Sequence, residues 1–213
     1  IRKMLKGAQI TIGNPNANGQ IFYTVDGTDP RRANGRPSAT AKVASPTTSI
    51  AVEKTSALKA RILYQGDGAE AAQWSTLRQL VIEVETDFRP IRISEIHYNP
   101  LPSADFSSQE LEFIELYNAS SEPVNLSFLY FADGIDYRFP AASELAPGRF
   151  VVLAANSHAF ASRYNEQPFG EFSGQLNNGG ERIVLSTATG DTLLNFSYDD
   201  DGAWPEAADG TGY

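Results

Sequence analysis

Apolar residues in this chain recur with a period close to two, in short runs rich in Val, Ile, Thr, Tyr and Phe, and clusters of Gly, Asn, Asp and Pro separate the runs. A period of two sends alternate side chains to opposite faces of an extended strand, so such a chain folds into sheets that bury one face and hydrate the other. In the first half the runs are 9–12, 21–25, 48–52, 57–64 and 80–84; in the second they are 91–96, 112–117, 137–139, 149–154, 181–185 and 192–198. One segment breaks the pattern. Residues 156–164 open with Asn156 and Ser157, residues suited to capping, and place Phe160 and Tyr164 four apart on one helical face. The expected fold class is therefore all-β, with two β-sandwiches in tandem and one short helix crossing the end of the second. Ile10, Ile12, Phe22, Leu58 and Ile62 are expected in the first core, and Ile93, Ile114, Leu116, Val152 and Leu185 in the second.

Turn chemistry separates the strands. Asn14-Pro15-Asn16-Ala17-Asn18-Gly19 and Asp26-Gly27-Thr28-Asp29-Pro30 each combine a glycine able to take positive φ with a proline that halts pairing. After Val84 the polar stretch Glu85-Thr86-Asp87-Phe88-Arg89-Pro90 ends in proline before a fresh strand begins at Ile91. The domain boundary is placed there, giving domains over 1–88 and 89–213 joined by a linker of a few residues.

Composition closes off several functions. The sequence carries 17 Lys and Arg against 26 Asp and Glu, a net charge of -9, so phosphate backbones are repelled and no nucleic-acid partner is expected. No apolar run approaches the roughly 20 residues of a membrane-spanning helix, and Ile1-Arg2-Lys3 opens no secretory leader, so the chain reads as a piece of a longer one. With no cysteine, disulfides, thiol catalysis and cysteine-based zinc sites are excluded together.

The second half resembles the lamin-tail domain, an immunoglobulin-like sandwich, through blocks in order: 92–100 (Arg-Ile-Ser-Glu-Ile-His-Tyr-Asn-Pro), 112–120 (Glu-Phe-Ile-Glu-Leu-Tyr-Asn-Ala-Ser), 124–127, 137–140 with 145–148, 176–181 (Leu-Asn-Asn-Gly-Gly-Glu), and Trp204-Pro205 with 209–213. The first half resembles the chitobiase/β-hexosaminidase C-terminal type of domain through Tyr23-Thr24-Val25-Asp26-Gly27-Thr28-Asp29-Pro30, 56–61 and Gln73-Trp74-Ser75. These resemblances imply two immunoglobulin-like modules of a large extracellular or cell-surface bacterial protein, neither of them catalytic. The implied partners are other domains of the parent protein and a cell-surface polysaccharide or protein.

The residues offer little chemistry of their own. Gly170-Glu171-Phe172-Ser173-Gly174 lacks the G-x-S-x-G spacing of a nucleophile elbow, and His97 and His158 lack the spacing of a zinc pair. Both histidines are expected to be surface or half-buried polar partners. On an alternating strand Glu112 faces with Ile114 and Leu116 while Glu115 faces with Phe113 and Tyr117, so the two cannot flank one glycosidic bond. Glu112 is expected instead to bond the amides of a neighbouring loop. Loose calcium loops could use Asp199, Asp201 and Asp209, or Asp26 with Asp29, although no tightly held metal and no cofactor are expected. Glycan stacking would need exposed rings, for which Trp74, Tyr64 and Trp204 are the candidates, Trp74 and Tyr64 being favoured. The favoured reading is a non-catalytic spacer, scaffold or adhesion module; the alternative is a carbohydrate-binding accessory of a secreted hydrolase.

Overall fold

The computed structural model describes residues 1–16, 18–44, 47–66, 72–202 and 204. Among them the chain is mostly strand with a single α-helix, and it divides into two compact units, Ile1–Glu85 and Thr86–Tyr213. All the sheets are open.

In the first unit β1 (Arg2–Met4), β3 (Gln20–Thr24), β4 (Lys42–Ala44), β6 (Ser56–Tyr64), β7 (Gln73–Trp74) and β8 (Arg78–Val84) form one sheet in the order β1-β8-β6-β3-β4, with β7 paired to β6. A separate antiparallel pair, β2 (Gln9–Gly13) and β5 (Thr47–Ala51), supplies the second layer. Ile10 from that pair meets Ile21, Tyr23, Leu58, Ile82 and Val84 from the sheet, with Ile12, Ile50 and Ile62 partly buried against them. The alternation of the sequence accounts for this core except at Phe22. Phe22 pairs with Arg61 and so points away from the Ile21 and Tyr23 face; its burial comes from the Trp74 ring, 5.4 Å away.

Gly27 takes φ 79° in the turn after β3 and donates its N–H to Ala57 O at 3.1 Å. Gly27→Val is therefore expected to cost roughly 1 kcal/mol or more, because a β-branched residue is strained at positive φ. A thermal melt unchanged by the substitution would contradict that reading of the turn.

The second unit places β9 (Ile91–His97), β10 (Phe113–Asn118), β14 (Phe150–Ala154) and β15 (Gly170–Glu171) in one sheet, ordered β15-β14-β10-β9. Facing it are β12 (Tyr130–Asp133), β16 (Glu181–Ser186) and β17 (Thr192–Tyr198), while β11 (Val124–Asn125) and β13 (Glu144–Leu145) form a small ladder. Ile114, Leu116 and Leu153 of the first sheet meet Phe131, Ile183 and Leu185 of the second in one apolar core. Helix α1 (Ser157–Tyr164) covers the outer face of the first sheet, burying Phe113 and Ala154 under Phe160 and Tyr164.

The helix forms over the residues the sequence assigns to it, but it lies on the outer face of a sheet and not across the end of the sandwich, because Phe113 and Ala154 offer Phe160 and Tyr164 an apolar patch there. Asn156 is the N-cap, its side chain accepting from the backbone N–H groups of His158 and Ala159, and Asn165 closes the C-terminus in the left-handed region at φ 55°. Two further expectations are corrected. Residues 137–139 form no strand, only an isolated bridge from Arg138 to Tyr130, because Asp136 on one side bridges Ser173 instead and Pro140 on the other has no N–H with which to extend the ladder. Val152 pairs with Glu115 on the outer face and packs toward the helix, not the main core.

Candidate functional site

Of the rings expected to stack on a glycan, Trp204 is exposed and meets Tyr198 edge-on, while Trp74 and Tyr64 do not share a surface. Trp74 pairs with Leu63 and Tyr64 with Gln73, so they point to opposite faces of the sheet. The indole N–H of Trp74 donates to Gly35 O at 2.7 Å, pinning the loop between β3 and β4 while the ring covers Phe22. On the same face, the Arg61 guanidinium bonds both carboxylate oxygens of Asp29, at 2.8 and 2.7 Å, and donates to Ser75 O. That fork holds the Asp29 carboxyl below its ordinary pKa. Asp26 accepts from the backbone N–H and hydroxyl of Thr28. The Asp-Gly-Thr-Asp-Pro run is thus a braced turn, with both carboxylates engaged by the protein itself.

The other candidate groups are similarly committed. Asp199 and Asp201 each accept the amide N–H of the residue that follows, and Asp209 lies outside the described residues, as does most of the 204–213 block. Among the described residues no three acidic or histidine side chains converge as a metal site. Ser173 exchanges backbone hydrogen bonds with Asp136, whereas His158 packs edge-on against Phe106. Glu115 accepts from the Ser94 hydroxyl, and Glu110 accepts from Ser107 and from the Asn156 amide, tying the short 3-10 turn at Gln109–Leu111 to the helix cap.

His97 departs from the half-buried position expected of it. It is 2% exposed beneath α1, its ring meets Phe113 edge-on, and Nδ1 lies 3.4 Å from the Tyr164 hydroxyl while Nε2 has no hydrogen-bond partner. Burial, reinforced by the nearby Arg163 charge, lowers its pKa. The sequence held no sign of this, because α1 is what closes that face.

The most distinctive polar arrangement is one that no spacing along the chain announced. Glu112, 1% exposed, enters β10 with one carboxylate oxygen accepting the Leu176 N–H at 2.8 Å. Glu181, at the start of β16, accepts from the Asn177 N–H at 3.0 Å and from the Tyr198 hydroxyl at 3.0 Å. Between them lies a polar cleft of about 370 Å³, lined by Gln109, Gln175, Asn177 and Asn178 as well as the two glutamates. Burial first, and then the Glu181 charge, push the Glu112 pKa up to about 7, against the opposing pull of the Leu176 amide. Gly180, the residue before Glu181, has φ 88°, and a Cβ there would sit 2.5 Å from Tyr198 O. Glu112 behaves as the sequence led one to expect of a carboxylate bonding a loop amide. Its meeting with Glu181 needed the fold.

The outer face of the first sheet carries a second feature. Phe150 is exposed and lies stacked on Tyr117, ring centres 4.7 Å apart at 28°.

Among the described residues no helix is long and apolar enough to cross a membrane. The family model described as Lamin Tail Domain matches residues 85–200, 116 of the 213 residues, in agreement with the blocks read between residues 92 and 181; the block at 204–213 lies beyond the match. A search of the curated proteins finds no match.

Proposed function

The chain belongs to the lamin tail domain family by its match over residues 85–200, and we propose that it serves as a non-catalytic spacer, scaffold or adhesion piece of a larger extracellular or cell-surface bacterial protein. In this reading residues 1–88 form an immunoglobulin-like module of the chitobiase C-terminal type and residues 89–213 form the lamin-tail module. One observation carries it: each candidate carboxylate has an oxygen engaged in holding a loop of the chain itself. Asp29 is forked by Arg61, Glu112 holds Leu176, and Glu110 holds the helix cap. Catalysis needs a nucleophile, a base and an orienting group free to meet a substrate. A pair of sandwiches on a short linker instead limits the distance and orientation of whatever is attached, which raises the effective concentration of neighbouring modules at a surface.

A second reading, a carbohydrate-binding accessory of a secreted hydrolase, is favoured by the exposed Phe150 ring on Tyr117, a platform of the kind that stacks on pyranose C–H surfaces. Trp74 is less suited, since its N–H is taken by Gly35 and its ring covers Phe22.

A screen of chromogenic glycosidase, esterase, protease and phosphatase substrates is expected to give no turnover, and a pull-down on insoluble polysaccharides is expected to retain none of the chain. Turnover that purifies with the chain would refute the module reading. Retention lost on Phe150→Ala would promote the carbohydrate reading over the spacer.

A further inference from the structure

The cleft between Glu112 and Glu181 presents two carboxylates side by side with neutral amides. The Leu176 N–H goes to Glu112, the Asn177 N–H goes to Glu181, the Tyr198 hydroxyl lies within bonding distance of both Glu181 and Asn177 O, and the Asn178 amide nitrogen goes to Asn99, while the side-chain amides of Gln109 and Gln175 also line the cleft. The hydrogen bonds of Glu112 and of Glu181 each use one carboxylate oxygen, so the other oxygen of each, with the side-chain carbonyl of Asn178, is left to face an incoming donor. None of the residues lining the cleft is basic. The charge that Glu112 feels comes from Glu181 and raises its pKa further, the behaviour of a buried carboxylate that faces another anion and has no counterion.

We propose that this cleft receives the guanidinium group of an arginine side chain presented by a basic partner polypeptide, with Glu112 and Glu181 as its anionic acceptors. A guanidinium is planar, carries five N–H donors in a fixed fork and is weakly hydrated, so it can enter a narrow site and satisfy several carboxylate and amide oxygens at once. A hard divalent cation suits the site less, since it wants six or more oxygens and no three acidic side chains converge among the described residues. A cleft of about 370 Å³ has room for a side chain with its stem, and the net charge of -9 draws a basic partner toward the surface. The inference rests on the reading of the chain as an interaction module, and it names the chemistry of the partner.

The test is a nuclear magnetic resonance titration of the ¹⁵N-labelled chain at constant ionic strength with the peptide acetyl-Gly-Arg-Gly-amide. The control peptide replaces arginine by citrulline, of the same shape but uncharged. Saturable shifts are expected at the amides of Leu176, Asn177 and Asn178 with the arginine peptide and not with the citrulline one. Glu112→Gln and Glu181→Gln are each expected to weaken binding by about tenfold. Both variants keep an acceptor oxygen for the loop amides, so an unchanged spectrum away from the cleft verifies the fold. Three results would overturn the proposal: no response at these amides, an equal response to citrulline, or an affinity unaltered by Glu112→Gln. Calcium chloride saturating the same amides at lower concentration would make the cleft a metal site instead. Methylguanidinium binding while the peptide stays silent would assign it to a free small cation and overturn the partner. Any of these would leave the spacer reading standing, which is tested separately by the substrate screen and the polysaccharide pull-down.

Discussion

Asn118→Ala is expected to destabilise the second unit by roughly 3 to 4 kcal/mol, the largest effect of any single substitution considered for this chain. The amide is wholly buried at the end of β10 and makes four hydrogen bonds: its nitrogen donates to Glu122 O and Leu145 O, and its oxygen accepts from the Ser120 N–H and hydroxyl. Alanine would leave two carbonyls and a backbone N–H to find new partners in a desolvated space, and would open a small cavity beside Leu145. Urea unfolding measures the loss. A shift of less than about 1 kcal/mol would mean that water takes over the amide's role. Asp cannot substitute quietly, because it replaces both donors with an acceptor facing two carbonyls.

Glu112 is expected to make stability fall as pH rises from about 4.5 to 7. Burial holds its proton in the folded state up to about 7, whereas the unfolded chain releases it near the ordinary glutamate value of 4.5. The folded state binds more protons throughout that window, so the contribution is fully present below 4.5 and is lost as pH climbs through 7, a change of up to about 3 kcal/mol. Glu112→Gln keeps an oxygen for the Leu176 N–H and cannot ionise. Its stability should match the parent near pH 4 and exceed it at pH 8. His97 runs the other way: its lowered pKa gives stability that is present above about 6.5 and is lost as pH falls through the folded value. Because His97 is common to parent and variant, the difference between their pH–stability curves isolates Glu112. A flat difference curve would show that the Glu112 carboxylate is better solvated than its burial implies.

Much of the architecture was legible in the chain because strands are local events. Alternation located the runs around Ile10, Leu58, Ile114, Leu185 and Phe196, and capping chemistry at Asn156 located the only α-helix among the described residues. Motif blocks in order identified the lamin-tail module before its fold was seen. The short ladders at Val124–Asn125, Glu144–Leu145 and Gly170–Glu171 were not legible, since strands of two residues have no period to detect and form only because a neighbouring edge is present.

By itself, then, the sequence determined the all-β class, the turns, the helix and the family of the second half, all of which depend on residues near one another in the chain. Tertiary structure alone decided which face of a strand is covered and which distant groups meet. It turned His97 from a strand-edge polar residue into a buried ring under α1, sent Trp74 and Tyr64 to opposite faces, and brought Glu112 to Leu176 and Glu181 across more than sixty intervening positions. The physical reason is that burial and Coulomb interaction depend on distance in space, and only the packing of one sheet on another fixes that distance.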